Sequence, residues 1–182
     1  HASEAPRHAM ALSQLDRNDK PGRSLDRAGF LAEVERLAGI IHGGGFCGRK
    51  VLIPEKNSIE YVVGFFACLR AGAVAVTAHP PRPGGGGERL GSIIRDASPD
   101  LVLATSGVFQ AFDRQAAGLL EGIDRLEYDA PESPEPFSLS SVPMPDPEAL
   151  ALLQYTSGST RNPTAVMITQ ANLFANGTVM RD

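Results

Sequence analysis

A run of small hydroxyl residues and one glycine follows an apolar segment in the last quarter of the sequence. The apolar segment is ALALLQY at 149–155, and the run after it consists of Thr156, Ser157, Gly158, Ser159 and Thr160. Consecutive backbone N–H groups and hydroxyls on a tight turn can bind an anion, and glycine allows backbone conformations that other residues resist. Such a loop can surround a polyphosphate without a buried positive charge. An ordinary turn has a similar composition, so composition alone leaves both interpretations open.

Composition restricts the class of protein. The 182 residues carry a net charge of −4 with no cluster of Lys and Arg, which argues against nucleic-acid binding as the main function. No apolar run is long enough to span a bilayer, so we expect no membrane span. Cys47 and Cys68 lack metal-ligand spacing, and we interpret both as reduced thiols of a cytoplasmic protein.

The elements that must position the hydroxyl run alternate along the chain. Four short segments rich in Val, Leu and Ala are predicted to be buried strands: KVLIP (50–54), AGAVAV (71–76), DLVLAT (100–105) and ALALLQY. Segments with helical spacing separate the first three of these strands. Strands of this kind indicate a parallel sheet covered by helices on both faces. The predicted fold class is therefore α/β.

Local signals predict where the helices and loops begin and end. We expect one helix over 30–41, one that Asn57 and Glu60 begin and Gly72 ends, one over 88–97, and one that Ser106 caps and that continues to Leu120. The second helix is apolar around most of its circumference, so Val62 to Leu69 should lie deep in the core. Residues 77–87, rich in Pro and Gly, should form an exposed loop, and 126–129 should form a further strand.

The predicted domain organisation is an N-terminal arm over 1–24 followed by one partial domain over 25–182. The first residues of the arm, HASEAPRHAM, are interpreted as a tag remnant or an internal cut. A surface linker rich in Pro and Ser should occupy about 130–147. Two single residues invite functional readings, but we interpret Tyr155 as the last core residue of its strand and His79 as an ordinary loop histidine.

Two segments carry a resemblance to a known family. YTSGSTRNPTAVMITQANL, residues 155–173, resembles the phosphate-loop motif of adenylate-forming enzymes, the superfamily of acyl-CoA synthetases, luciferases, peptide-synthetase adenylation domains and fatty acyl-AMP ligases. The segment over 51–83 is similar to the first core segments of that superfamily, and PPRP at 80–83 resembles the fatty acyl-AMP ligase branch.

The resemblance implies a function and a set of site residues. It implies that a fatty acid reacts with ATP and Mg²⁺ to form an acyl-adenylate, which passes to an acyl carrier protein of a polyketide or peptide synthase. The residues that would bind the ATP phosphates are Thr156, Ser157, Gly158, Ser159, Thr160 and Arg161, with Thr160 as the metal ligand. No residue of the chain is assigned as catalytic. An acyl-CoA synthetase, an amino-acid adenylation domain and a non-catalytic adenylation-like module remain open as alternatives.

The loop departs from the family pattern in three places. The family commonly has Gly, Lys and Gly where this chain has Arg161, Thr164 and Ala165. We hypothesise that Arg161 supplies the positive charge of the missing lysine. The family's enzymes are several times longer, so the resemblance implies that the sequence corresponds to the first part of a large N-terminal domain. We therefore expect the 182 residues alone to be inactive.

Overall fold

A computed structural model describes residues 10–15, 20–84, 87–129, 144–156 and 163–179. Within these residues, six strands form one sheet in the order β6-β5-β3-β4-β7-β8. The strands are β3 (Lys50–Ile53), β4 (Val74–Thr77), β5 (Leu101–Ala104), β6 (Asp124–Glu127), β7 (Leu150–Tyr155) and β8 (Ala165–Thr169). All neighbours pair in parallel except β7 and β8, which are antiparallel. The predicted α/β class is confirmed, with one antiparallel edge strand that the pattern did not predict.

Helices cover both faces of this sheet. Their bounds are α1 (Arg27–Gly43), α2 (Ile59–Ala71), α3 (Gly87–Ala97), α4 (Ser106–Gln115) and α5 (Gln170–Val179). The buried residues of α1 and α2 share one apolar cluster with Val51 and Ile53 of β3, whereas those of α3 and α4 share another with Leu52. Successive strand residues point to opposite faces, which is why these neighbours in sequence belong to different clusters.

The helix ends correct three predictions. Ser58, rather than Asn57, begins α2, because its side chain accepts a hydrogen bond from the backbone N–H of Tyr61 at 3.2 Å. Thr105, rather than Ser106, is the N-cap of α4, and that helix ends at Gln115 instead of Leu120. Gly72 ends α2 as predicted: it adopts the left-handed conformation, with φ of 71°, that glycine allows without strain.

Two predictions about burial were partly wrong. Val63, Ala67 and Cys68 of α2 are fully buried as expected, but Phe66 is 44% exposed, so one side of this helix faces outward. In the loop after β4, Pro80 and Pro81 are buried rather than exposed. A proline has no N–H to satisfy, which removes one cost of burying such a loop.

The chain before α1 forms a hairpin that the sequence pattern did not predict. Strands β1 (Met10–Leu15) and β2 (Pro21–Asp26) pair antiparallel, and they lie mostly within the predicted N-terminal arm. Arg23 of β2 donates to Glu33 of α1 and, at 2.6 Å, to Glu60 of α2. The division into an arm and a partial domain stays a prediction. Residues 1–9, and residues 130–143 of the predicted linker, lie outside the described part of the chain.

Candidate functional site: a cleft at the carboxyl edge of the sheet

The parallel strands end together at one edge of the sheet. Ile53, Thr77 and Gln154 are aligned across β3, β4 and β7, so the residues that follow them meet at the same place. Ligands of open α/β sheets bind outside the carboxyl ends of the strands. A cleft of about 260 Å³ lies at this edge, and Glu55 and His79 are among the residues that line it.

The predicted phosphate loop begins at this edge. β7 and β8 form an antiparallel pair in which Tyr155 is opposite Ala165. Beyond that pair, the backbone N–H of Thr156 donates to the carbonyl oxygen of Thr164 at 3.4 Å. The two strands therefore bring both ends of the predicted loop together beside the cleft, as the ends of a hairpin connection.

Thr156 is the one predicted phosphate-binding residue that the described part of the chain includes, and its side chain is exposed. The other predicted residues, which are Ser157, Gly158, Ser159, Thr160 and Arg161, lie outside the described residues. The assignment of the ATP phosphates to this set, and of the metal to Thr160, stays a prediction. Among the residues that the structure describes, no group of three or more His, Cys, Asp or Glu side chains could hold a metal ion.

Helix α3 contacts the strand end from which the loop departs. Arg89 Nη2 donates to the carbonyl oxygen of Thr156 at 2.8 Å, and the hydroxyl of Tyr155 donates to Asp96 Oδ2 at 2.6 Å. Burial and the neighbouring Asp96 carboxylate both raise the pKa of Tyr155. Tyr155 ends β7 and packs against the cluster that contains α3, as its interpretation as a core residue predicted. The two side-chain contacts were not predicted, because 67 and 59 residues separate the partners.

Glu55 is a buried carboxylate that sequence reasoning missed. Its exposed fraction is 8%, and Oε1 accepts a hydrogen bond from the backbone N–H of Thr105 at 2.7 Å. Burial raises the pKa of Glu55, and the hydrogen bond from Thr105 opposes that rise. The signal in the sequence was an acidic residue two positions after a buried strand, at the edge where α/β proteins bind their ligands.

Glu55 and Thr105 lie where the connections of two neighbouring strands diverge. β3 leads into α2 on one face of the sheet, whereas β5 leads into α4 on the other face. Such a switch in direction opens a crevice above the sheet. Here the Glu55 carboxylate bridges the two strand ends on the floor of that crevice.

His79 and two arginines add basic groups beside the cleft. His79 is exposed in the loop after β4, and a second cleft of about 190 Å³ next to it is lined by His79, Arg82 and Arg89. His79 thus lies beside the clefts at the carboxyl edge of the sheet, whereas its sequence context does not distinguish it from other loop residues. In the described part of the chain, no helix is long and apolar enough to cross a membrane.

Comparison with known proteins identifies the family. The family model of AMP-binding enzymes matches residues 1–182. A Mycobacterium tuberculosis protein named as a fatty-acid–CoA ligase, fadD25, is 39% identical over 77% of this chain and 24% of its own length. The long-chain-fatty-acid–AMP ligase FadD23 of the same species is 34% identical over 96% of this chain and 27% of its own length. The chain thus spans about a quarter of each of these relatives.

A solved structure confirms the fold. The crystal structure of a fatty acyl-adenylate ligase from L. pneumophila, in complex with acyl adenylate and pyrophosphate, superimposes with a TM-score of 0.74 at 23% identity. The match covers 93% of this chain and 29% of that one. The predicted resemblance to adenylate-forming enzymes is therefore confirmed, and the chain belongs to the family of AMP-binding enzymes.

Proposed function

We propose that the protein containing this chain is a fatty acyl-AMP ligase, which activates a fatty acid with ATP. One observation carries the proposal beyond family membership. β7 and β8 bring Thr156 and Thr164 together at the carboxyl edge of a parallel sheet, and the sequence between these two residues is rich in hydroxyl groups. This is the place at which an α/β protein binds a phosphorylated ligand.

The proposed reaction is a displacement at the α-phosphate of ATP. An oxygen of the fatty acid carboxylate attacks that phosphorus, the bond to the β-phosphate oxygen breaks, and pyrophosphate leaves. Enzymes catalyse such steps mainly by positioning the groups and by stabilising charge on the oxygens. The hydroxyl of Thr156, with the backbone N–H groups and hydroxyls of the residues that follow it, would hold the leaving pyrophosphate, and no protein nucleophile is required.

We treat Mg²⁺ as part of the ATP substrate. Magnesium keeps several of its waters and is usually bound through substrate phosphates and one or two protein oxygens. The hydroxyl of Thr160 is the protein oxygen that we propose as its ligand. A single hydroxyl is chemically suited to that limited role.

The proposal also names the molecule that accepts the acyl group. We propose that the acyl-adenylate transfers its acyl group to the thiol of an acyl carrier protein, with AMP as the leaving group. The PPRP motif at 80–83 and the similarity to FadD23 support this acceptor. Coenzyme A is the second candidate, because fadD25 is named as a CoA ligase.

One experiment separates these functions. The intact protein is incubated with ATP, Mg²⁺, dodecanoate and either coenzyme A or a carrier protein, and the products are identified by mass spectrometry. Acyl-adenylate that accumulates and loads the carrier without forming acyl-CoA is the expected result. Formation of acyl-CoA would indicate that the protein is an acyl-CoA synthetase. A lack of adenylate with any fatty or amino acid would favour the non-catalytic module.

A further inference from the structure

We propose that α3 positions the phosphate loop, through hydrogen bonds from Arg89 to Thr156 and from Tyr155 to Asp96. The inference deepens the proposed function and rests on it, because it assigns two residues of α3 a role in the use of ATP. Both are positioning residues: they contact Tyr155 and Thr156 rather than the substrate.

The spacing of the two residues on α3 allows both to contact the end of β7. Arg89 and Asp96 are seven residues apart, which is about two helical turns, so they lie on the same side of the helix. Their partners are consecutive: Tyr155 is the last residue of β7, and Thr156 follows it. The helix therefore holds the last residue of β7 and the first residue of the predicted loop at two separate points, which restricts both the translation and the rotation of the strand end.

Helix α3 is a rigid support for these contacts. Its other side packs into the core through Leu90, Ile93, Ile94 and Ala97, each at most 7% exposed. The same apolar cluster includes Leu153 of β7, so helix and strand are also joined beneath the polar contacts. A residue attached to such a packed helix can hold a neighbouring backbone more precisely than one on a loop.

The hydrogen bond from Arg89 holds the carbonyl group of Thr156. The carbonyl of one residue and the N–H of the next share a planar, trans peptide unit, so they point in opposite directions. By holding the Thr156 carbonyl, Arg89 would fix the peptide unit through which the chain continues into the rest of the predicted phosphate loop. Preorganised N–H dipoles of this kind are the groups that stabilise negative charge in a reaction.

Because the two residues are exposed to solvent, a role in positioning the loop can be distinguished from a role in the stability of the fold. Arg89 and Asp96 are both exposed. Hydrogen bonds at exposed sites contribute little to folding, so their loss should change the loop more than the stability of the protein.

The experiment uses the intact protein with the variants Arg89→Ala, Tyr155→Phe and Asp96→Ala. Arg95→Ala is the matched control, because Arg95 is an exposed arginine on the same helix whose Nη2 donates to Ser92 within that helix. Asp96→Asn is the conservative variant, since its amide oxygen still accepts from Tyr155. We measure kcat and KM for ATP and for dodecanoate during adenylate formation, the melting temperature, and hydrogen exchange in peptides that end at Thr156 or begin at Pro163.

The proposal predicts a specific pattern. Arg89→Ala should lower kcat/KM for ATP on the order of 10- to 100-fold, the range expected when a reacting group is misplaced by about 1 Å. The KM for dodecanoate and the melting temperature should match those of Arg95→Ala, and Asp96→Asn should retain the activity that Asp96→Ala loses. Equal kinetics of Arg89→Ala and Arg95→Ala would overturn the proposal.

Hydrogen exchange distinguishes failure of this inference from failure of the proposed function. If the unmodified protein forms no adenylate, the proposed function is wrong, and the exchange measurement alone decides the inference. Faster exchange at the end of β7 in Arg89→Ala and Tyr155→Phe, but not in Arg95→Ala, supports positioning by α3. Unchanged exchange in all three variants overturns it.

Discussion

The carboxylate of Glu55 accepts a hydrogen bond from the backbone N–H of Thr105 at 2.7 Å, and this bond ties the end of β3 to the start of α4. Thr105 is the N-cap of α4, yet its own side chain makes no capping hydrogen bond. Glu55, 50 residues earlier, satisfies the N–H of the cap residue and places a carboxylate near the helix N-terminus, where negative charge is favourable.

Replacement of Glu55 should reveal the value of this bond. In Glu55→Ala, the Thr105 N–H loses its acceptor at a partly buried site, which should lower the free energy of unfolding by about 1–3 kcal/mol. Glu55→Gln keeps an acceptor oxygen of the same reach and should lose much less. Denaturant unfolding of both variants measures the difference, and equal losses would show that the hydrogen bond is not the cause.

The stability contributed by Glu55 should depend on pH. Because burial raises its pKa in the folded protein, the folded state favours the protonated carboxyl. Its contribution is then fully present below the ordinary Glu pKa of about 4.3 and declines as the pH rises through the raised value. The stability of the unmodified protein relative to Glu55→Gln should thus be highest near pH 4 and fall toward pH 8. A flat difference across that range would contradict the predicted sign.

Gly72 should not tolerate a side chain. Its φ of +71° is unfavourable for other residues, and a Cβ atom there would lie 3.2 Å from Cys47 Sγ. We expect Gly72→Ala to destabilise the protein by about 1–2 kcal/mol. Gly107 in α4 is the matched control, because a Cβ there meets nothing within 4 Å and alanine favours the helix by about 0.4–1 kcal/mol. Thermal unfolding should show shifts of opposite sign for the two variants.

Arg23 should hold the N-terminal hairpin against α1 and α2. Its guanidinium contacts Glu33 and Glu60 and lies 5.7 Å from the centre of the Tyr128 ring. Because Arg23 is 41% exposed, Arg23→Ala should cost about 1 kcal/mol or less in overall stability. Hydrogen exchange in the hairpin, however, should accelerate. Arg49→Ala, which breaks the exposed ion pair with Asp100, is the control that should leave the hairpin unchanged.

Arg161 should replace the lysine that the family commonly has at Thr164. Loss of one charge-assisted hydrogen bond costs about 1.5–3 kcal/mol, so Arg161→Ala in the intact protein should lower kcat/KM for ATP roughly 10- to 150-fold. Adding Thr164→Lys to that variant should restore most of the activity, because it returns the charge to the family position. Normal ATP use by Arg161→Ala would refute the hypothesis, and a failure of Thr164→Lys to rescue would refute the equivalence of the two positions.

Local patterns in the sequence were sufficient for most secondary structure. Buried strands appeared as short apolar runs, and helical spacing predicted α1 because its buried residues recur every three or four positions. Gly72 was recognised as a helix end from its type alone. The errors at Ser58 and Thr105 arose because neighbouring residues are also good caps, and their types do not decide which side chain or backbone group bonds the helix.

The sequence by itself determined the α/β class, through the alternation of its elements, and the family, through the hydroxyl run and its flanking strands. The tertiary structure decided the strand order, the antiparallel edge of β8 and the contacts that join Glu55 to Thr105 and Arg89 to Thr156. The physical reason is range. Periodicity and caps report interactions over a few residues, whereas these contacts exist because crossover connections bring distant strand ends to one edge of the sheet.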